Sequence, residues 1–160
     1  RPAWSPDGSK IAFSSYANNL VPGDTNTGMD VFVKDLSGGG VQRVSTTSSG
    51  GQANNGGSRD PGSYHARWSP DGTHVAFNSD ADNLVPVDTN NTSDVFLKNV
   101  ATGAVKRAST TASGGQSDGF SFLPEWSPDG TRLLFTSEAG NLVSGKTVPF
   151  QEDVFTKSLG

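Results

Sequence analysis

Residues 68–99 read WSPDGTHVAFNSDADNLVPVDTNNTSDVFLKN, and this stretch decides the fold because the chain holds three versions of it and little else. The first version opens with Trp4-Ser5-Pro6-Asp7-Gly8, the second with Trp68-Ser69-Pro70-Asp71-Gly72 and the third with Trp126-Ser127-Pro128-Asp129-Gly130, so the signature recurs after 64 and then 58 residues. A period of about 60 residues is longer than that of most helical repeats and leaves room for several strands.

The middle version divides into four segments. Residues 64–69 form a first strand, Pro70-Asp71-Gly72 a tight turn, and residues 74–78 a second strand. Proline presets the first corner of the turn, aspartate caps it, and glycine supplies the left-handed conformation that closes it. A polar loop over residues 79–93 leads to a third strand, 94–100, and Ala101-Thr102-Gly103-Ala104 turns the chain into a fourth, 105–110. Val75-Ala76-Phe77 and Val95-Phe96-Leu97 are continuous apolar runs, so the two middle strands are expected to be covered on both faces.

The same segments recur at 10–14, 30–36 and 41–46, and again at 132–136 and 153–159. Ser49-Gly50-Gly51-Gln52 and Ser113-Gly114-Gly115-Gln116 follow the fourth strand of the first two versions and read as crossovers to the next unit. The expectation is an all-β chain of four-stranded antiparallel meanders arranged as β-propeller blades: blade 1 over 1–48, blade 2 over 63–112, and an incomplete blade 3 over 121–160. That is about 2.75 blades, and propellers have about 4 to 8. Such an arc is expected to be part of a longer propeller or to assemble with copies of itself into a ring.

The WSPDG turn followed by an apolar strand resembles the WD40-like (PD40) repeat of TolB-type β-propellers. NLVPGDTN followed by DVFVKD, at residues 19–26 and 30–35, is similar to repeats of secreted bacterial proteins of that group. The resemblance covers essentially the whole chain. It implies a non-catalytic binding or scaffold module, extracellular or periplasmic, with a protein partner and with glycans as a second possibility. The rival class is an enzyme, either a propeller polysaccharide lyase or the propeller domain of a serine peptidase.

Composition narrows the chemistry. Twenty glycines and nine prolines among 160 residues, with 32% hydrophobic residues, favour short strands over helices. A net charge of -4 and a pI near 5.0 give no electrostatic reason to expect nucleic acid as a partner. No apolar run approaches the roughly 20 residues of a membrane-spanning helix. The absence of cysteine excludes disulfides, thiolate metal sites and a thiol nucleophile.

Two clusters invite a functional reading. The loop between the second and third strands places Asp24, Asn26 and Asp30 in the first version and Asp88, Asn90 and Asp94 in the second at positions 1, 3 and 7 of a short turn. Oxygen ligands so spaced suit a hard cation, with Ca2+ the natural candidate, although the same side chains can cap their own turns without an ion. In the third version Lys146 stands where Asp24 and Asp88 stand, Val148 replaces the asparagine and Asp153 remains; drift on a solvated loop accounts for the change, and a lysine ammonium taking the cation's place is the alternative.

Tyr64, His65 and Arg67 form the second cluster, on the strand expected to line the propeller axis, where they could meet a ligand or act on an acidic sugar. The third version has Phe122, Leu123 and Glu125 at these positions, and the first has Arg1 opposite His65 and Ala3 opposite Arg67. The three tryptophans read as blade core. Gly115-Gln116-Ser117-Asp118-Gly119 matches the letters of a nucleophile elbow but lies in a crossover, without the strand and helix that the elbow requires.

Overall fold

A computed structural model describes residues 2–54, 62–146 and 151–159. It consists of three antiparallel sheets. The first orders β1 (Ala3–Trp4), β2 (Lys10–Ser15), β3 (Asp30–Asp35) and β4 (Val41–Arg43) as neighbours in sequence. The second does the same with β5 (Ser63–Trp68), β6 (His74–Ser79), β7 (Asp94–Asn99) and β8 (Val105–Arg107). The third holds β9 (Ser121–Trp126), β10 (Arg132–Ser137) and β11 (Asp153–Ser158). These are the meander blades expected from the repeat. Among the described residues no helix is long and apolar enough to cross a membrane.

The WSPDG turns form as their chemistry dictates. Gly8, Gly72 and Gly130 adopt φ of 71°, 69° and 70°, and each donates its N–H to the carbonyl of the serine three residues earlier, at 2.9 Å. The aspartate closes the turn by accepting from the serine hydroxyl before it and from the backbone N–H two residues after it, as Asp71 does with Ser69 Oγ at 2.5 Å and Thr73 N at 3.0 Å.

The continuous apolar runs of the middle sheet arise because it is sandwiched between the other two. Val75, Phe77 and Phe96 point toward blade 1 and pack with Ala12, Val31, Val33 and Val44, whereas Ala76, Val95 and Leu97 point toward blade 3 and pack with Leu133 and Phe135. Alternate residues thus serve opposite interfaces, and both sets must be apolar. Full burial of each large side chain contributes about 1.5–3 kcal/mol, so the inter-blade faces carry most of the core.

The fourth strands are shorter than the sequence predicts. Strand pairing stops at Arg43 and Arg107, where Ala108 N and Ser109 N both turn onto Val95 O and the chain doubles back so that Thr110 bridges Gln116. The equivalent bridge in blade 1 joins Thr46 to Gln52. This fold-back carries the glutamine that ends each crossover into the loop between strands two and three of the same blade.

Candidate functional site

The Asp/Asn loops converge on an arginine. In blade 2, Arg107 Nη2 lies 3.0 Å from Asp88 Oδ2, and Arg107 Nε lies 3.1 Å from Asp94 Oδ2. In blade 1, Arg43 Nη1 lies 3.3 Å from Asp24 Oδ1 and 3.6 Å from Asp30 Oδ2. The Arg107 Nε contact is off the N–H axis, so it is ionic attraction and not a directed hydrogen bond. All four carboxylates are buried, and both guanidinium groups nearly so.

Amide groups complete each cluster as donors. Gln116 Nε2 donates to Asp88 Oδ1 at 2.7 Å and to Asp94 Oδ2 at 3.3 Å, while its Oε1 accepts from Thr89 N and Thr89 Oγ1, each at 3.2 Å. Gln52 repeats this with Asp24, Asp30 and Thr25. Asn90 and Asn26 spend their Nδ2 groups on Asp94 and Asp30, and their Oδ1 atoms accept from the backbone N–H two residues on, at Thr92 and Gly28. Ser109 and Ser45 donate to the remaining oxygens of Asp94 and Asp30, both at 2.5 Å. Burial holds the carboxyls of Asp30 and Asp88 above the usual range, opposed for Asp30 by Ser45 and then Arg43, and for Asp88 by Arg107.

This donor set does not fit a hard cation. A calcium shell needs free oxygens, whereas here N–H groups and a guanidinium already face the carboxylates. Among the described residues no group of three or more His, Cys, Asp or Glu side chains is placed to hold a metal ion. In blade 3 the cation comes from the loop itself: Lys146 Nζ is 3.2 Å from Asp153 Oδ2, donates to Gln151 O at 2.7 Å and lies 5.7 Å from the centre of the Phe155 ring. Val148 lies outside the described residues.

The sequence reading missed Arg43, Arg107, Gln52 and Gln116 as members of the cluster. Their signal was the repeat itself: each arginine ends its fourth strand, each glutamine ends the SGGQ crossover, and both pairs are 64 residues apart.

The Tyr64, His65 and Arg67 cluster lies on β5, which contacts β9 of the next blade and β2 of the one before. Pairing of β5 with β6 slips between Tyr64 and Arg67, and pairing of β9 with β10 slips at the equivalent place. The slips put His65 and Leu123 in the left-handed region, at φ of 55° and 54°. A non-glycine residue there costs about 1–2 kcal/mol, and bulges of this kind re-aim side chains.

His65 Nδ1 pairs with Asn78 Oδ1 at 2.9 Å, and its ring lies 6.3 Å from that of Tyr64. Arg67 Nε is 2.6 Å from Glu125 Oε1, a bond that ties the inner strands of blades 2 and 3 and neutralises the charge an acidic sugar would seek. On β9 the equivalent surface is apolar: Leu123 is 42% exposed, and Phe120 and Phe122 pack at 5.3 Å between ring centres. Arg1, opposite His65 in the repeat, lies outside the described residues.

Comparison with known structures agrees on the fold. The chain is similar to TolB from Acinetobacter baumannii, with a TM-score of 0.60 and 22% identity over 98% of this chain and 29% of that one. Putative TolB from Agrobacterium tumefaciens follows with a TM-score of 0.57 and 19% identity, over 98% of this chain and 44% of that one. A prolyl endopeptidase matches with a TM-score of 0.58 and 16% identity, over 99% of this chain and 20% of that one. Neither a family model nor a curated protein matches the sequence. The chain therefore has the TolB-like propeller fold and spans less than half the length of these structures.

Proposed function

We propose that this chain is a non-catalytic binding module that engages a protein partner through the inner strands of its blades, in an extracellular or periplasmic setting. The observation that carries the reading is the surface formed by Phe120, Phe122 and Leu123 beside Tyr64 and His65. Large apolar side chains stand partly exposed there, Leu123 by 42% and Phe120 by 38%, beside the strained bulge of β9. Aromatic anchors on a rigid scaffold, rimmed by polar groups, are what a protein interface requires. Glycan stacking on the same rings is the lesser alternative.

The Asp/Asn loops serve architecture in this reading, with a guanidinium facing the paired carboxylates. A second reading, the propeller part of a peptidase, is favoured by the likeness to the prolyl endopeptidase. It keeps the inner-strand surface as a contact for a neighbouring catalytic domain.

The test is site-specific photo-crosslinking in cells. A photoreactive residue at Leu123 is expected to capture a discrete protein, and one at the exposed loop residue Val87 is not. Equal capture from both positions, or none from Leu123, would remove the assignment. Release of unsaturated product from a uronate polysaccharide, lost in His65→Ala, would replace it with the lyase reading.

A further inference from the structure

His65 is held by a polar relay that blade 2 alone carries. Its Nδ1 lies 2.9 Å from Asn78 Oδ1, and Asn78 Nδ2 donates in turn to Ser93 Oγ at 3.2 Å. Asn78 is 3% exposed and Ser93 is fully buried. The three residues come from β5, β6 and the loop ahead of β7, and they depart from the repeat together: the equivalent positions hold Arg1, Ser14 and Met29 in the first version and Leu123, Thr136 and Glu152 in the third. The bulge belongs to the repeat, since Leu123 shares the left-handed backbone of His65, but the relay does not.

The relay fixes which ring nitrogen carries the proton. A carboxamide oxygen only accepts, so Nδ1 of His65 donates to Asn78, and a neutral imidazole has one N–H to give. Nε2 is thereby left as an acceptor. It has no hydrogen bond among the described residues, and burial does not seal it off, because the buried unbonded side-chain nitrogens are those of Arg43, Trp68 and Arg107.

The charges nearby leave the same imbalance. Arg67 spends its Nε on Glu125 Oε1 at 2.6 Å, whereas the Glu125 side chain is 55% exposed and keeps lone pairs for solvent. The cation of the cluster is thus used internally while two acceptors remain. An acidic ligand finds nothing to pair with at Nε2, and a donor does.

We propose that His65 Nε2 is the polar anchor of the inner-strand surface, accepting an N–H from a lysine, arginine or amide group of the protein partner, with Asn78 and Ser93 as positioning residues. The inference rests on the binding reading above and adds the chemistry that the partner must bring.

Two measurements test it. Nitrogen-15 NMR of the imidazole rings reads the tautomer without a partner, and His65→Asn tells the chain's two histidines, His65 and His74, apart. The His65 proton is expected on Nδ1 in the parent chain, and shared between the two nitrogens in Asn78→Ala. A proton on Nε2 in the parent chain would overturn the proposal. The second measurement is capture in cells by a photoreactive residue at Leu123. His65→Asn suits the left-handed backbone and keeps a donor for Asn78, but has no acceptor at the Nε2 position. It is expected to retain the parent Tm and to lower capture by about tenfold, and His65→Gln, whose amide oxygen reaches that position, is expected to recover part of the loss. Undiminished capture in His65→Asn would overturn this inference and leave the binding reading standing, whereas no capture in the parent chain would remove both.

Discussion

Arg107 Nη2 stands 3.0 Å from Asp88 Oδ2 in a cluster where both side chains are more than nine-tenths buried, and Arg43 stands toward Asp24 in the same way one blade earlier. The relationship turns the most polar loop of the repeat into a fastening. It joins the end of the fourth strand to the loop ahead of the third, with the crossover glutamine closing the gap.

Removing the guanidinium leaves two buried carboxylates facing each other. Arg107→Met is therefore expected to destabilise the chain by about 3–5 kcal/mol, the usual cost of breaking a buried ion pair from one side. Adding Asp88→Asn to that variant is expected to recover part of the loss, read by urea denaturation. Full additivity of the two substitutions would mean that the groups do not interact.

The bulge predicts an opposite sign. Leu123 sits at φ 54° with 42% of its surface exposed, so Leu123→Gly relieves left-handed strain while giving up little packing. The change is expected to be neutral or stabilising by up to about 1 kcal/mol, even as it removes the proposed contact surface. Leu123→Val, β-branched at the same φ, is expected to destabilise.

Lys98 supplies a pH dependence. Burial lowers its ammonium from an ordinary value of 10.5 to about 8, so between these values the unfolded chain binds more protons than the folded one. Stability from this group rises as pH climbs through that window and is flat below it. Chemical denaturation between pH 7 and 10.5 is expected to show the rise in the parent chain and its absence in Lys98→Met.

At the acid end the turn aspartates act in the usual direction. The Ser127 hydroxyl, and then the Thr131 N–H, hold the Asp129 carboxyl down at about 2, and Ser69 and Thr73 lower Asp71. Their contribution is complete above the ordinary carboxyl value of 3.8 and disappears as pH falls through the lowered one. Asp30 and Asp88, raised by burial, run the other way and gain protons more readily folded than unfolded. Asp129→Asn is expected to flatten the acid limb of the stability curve, and Asp88→Asn to steepen it.

The blades were legible in the sequence because WSPDG fixes a turn locally and the uninterrupted Val75-Ala76-Phe77 and Val95-Phe96-Leu97 runs announce sheets covered on both sides. The ends of the fourth strands were not, since Val105 to Thr110 keeps strand-like composition past the point where Ser109 and Thr110 turn away to the crossover. The arginines of the Asp/Asn loops were hidden for a related reason. Arg107 and Gln116 lie many residues from Asp88, and only the fold-back at the Thr110–Gln116 bridge brings them together. The inner-strand surface was half legible: residue type marked Tyr64, His65 and Arg67, whereas the bulges at His65 and Leu123 have no glycine to announce them.

The claim that the repeat carries its own cation is tested most directly by a thermal melt with millimolar calcium and, separately, with a chelator. The account predicts the same Tm in both, because Arg43 and Arg107, with the amide and hydroxyl donors around them, already occupy the loop carboxylates of blades 1 and 2, and Lys146 pairs with Asp153 in blade 3. A Tm raised by calcium in the parent chain and not in Asp88→Asn would contradict it.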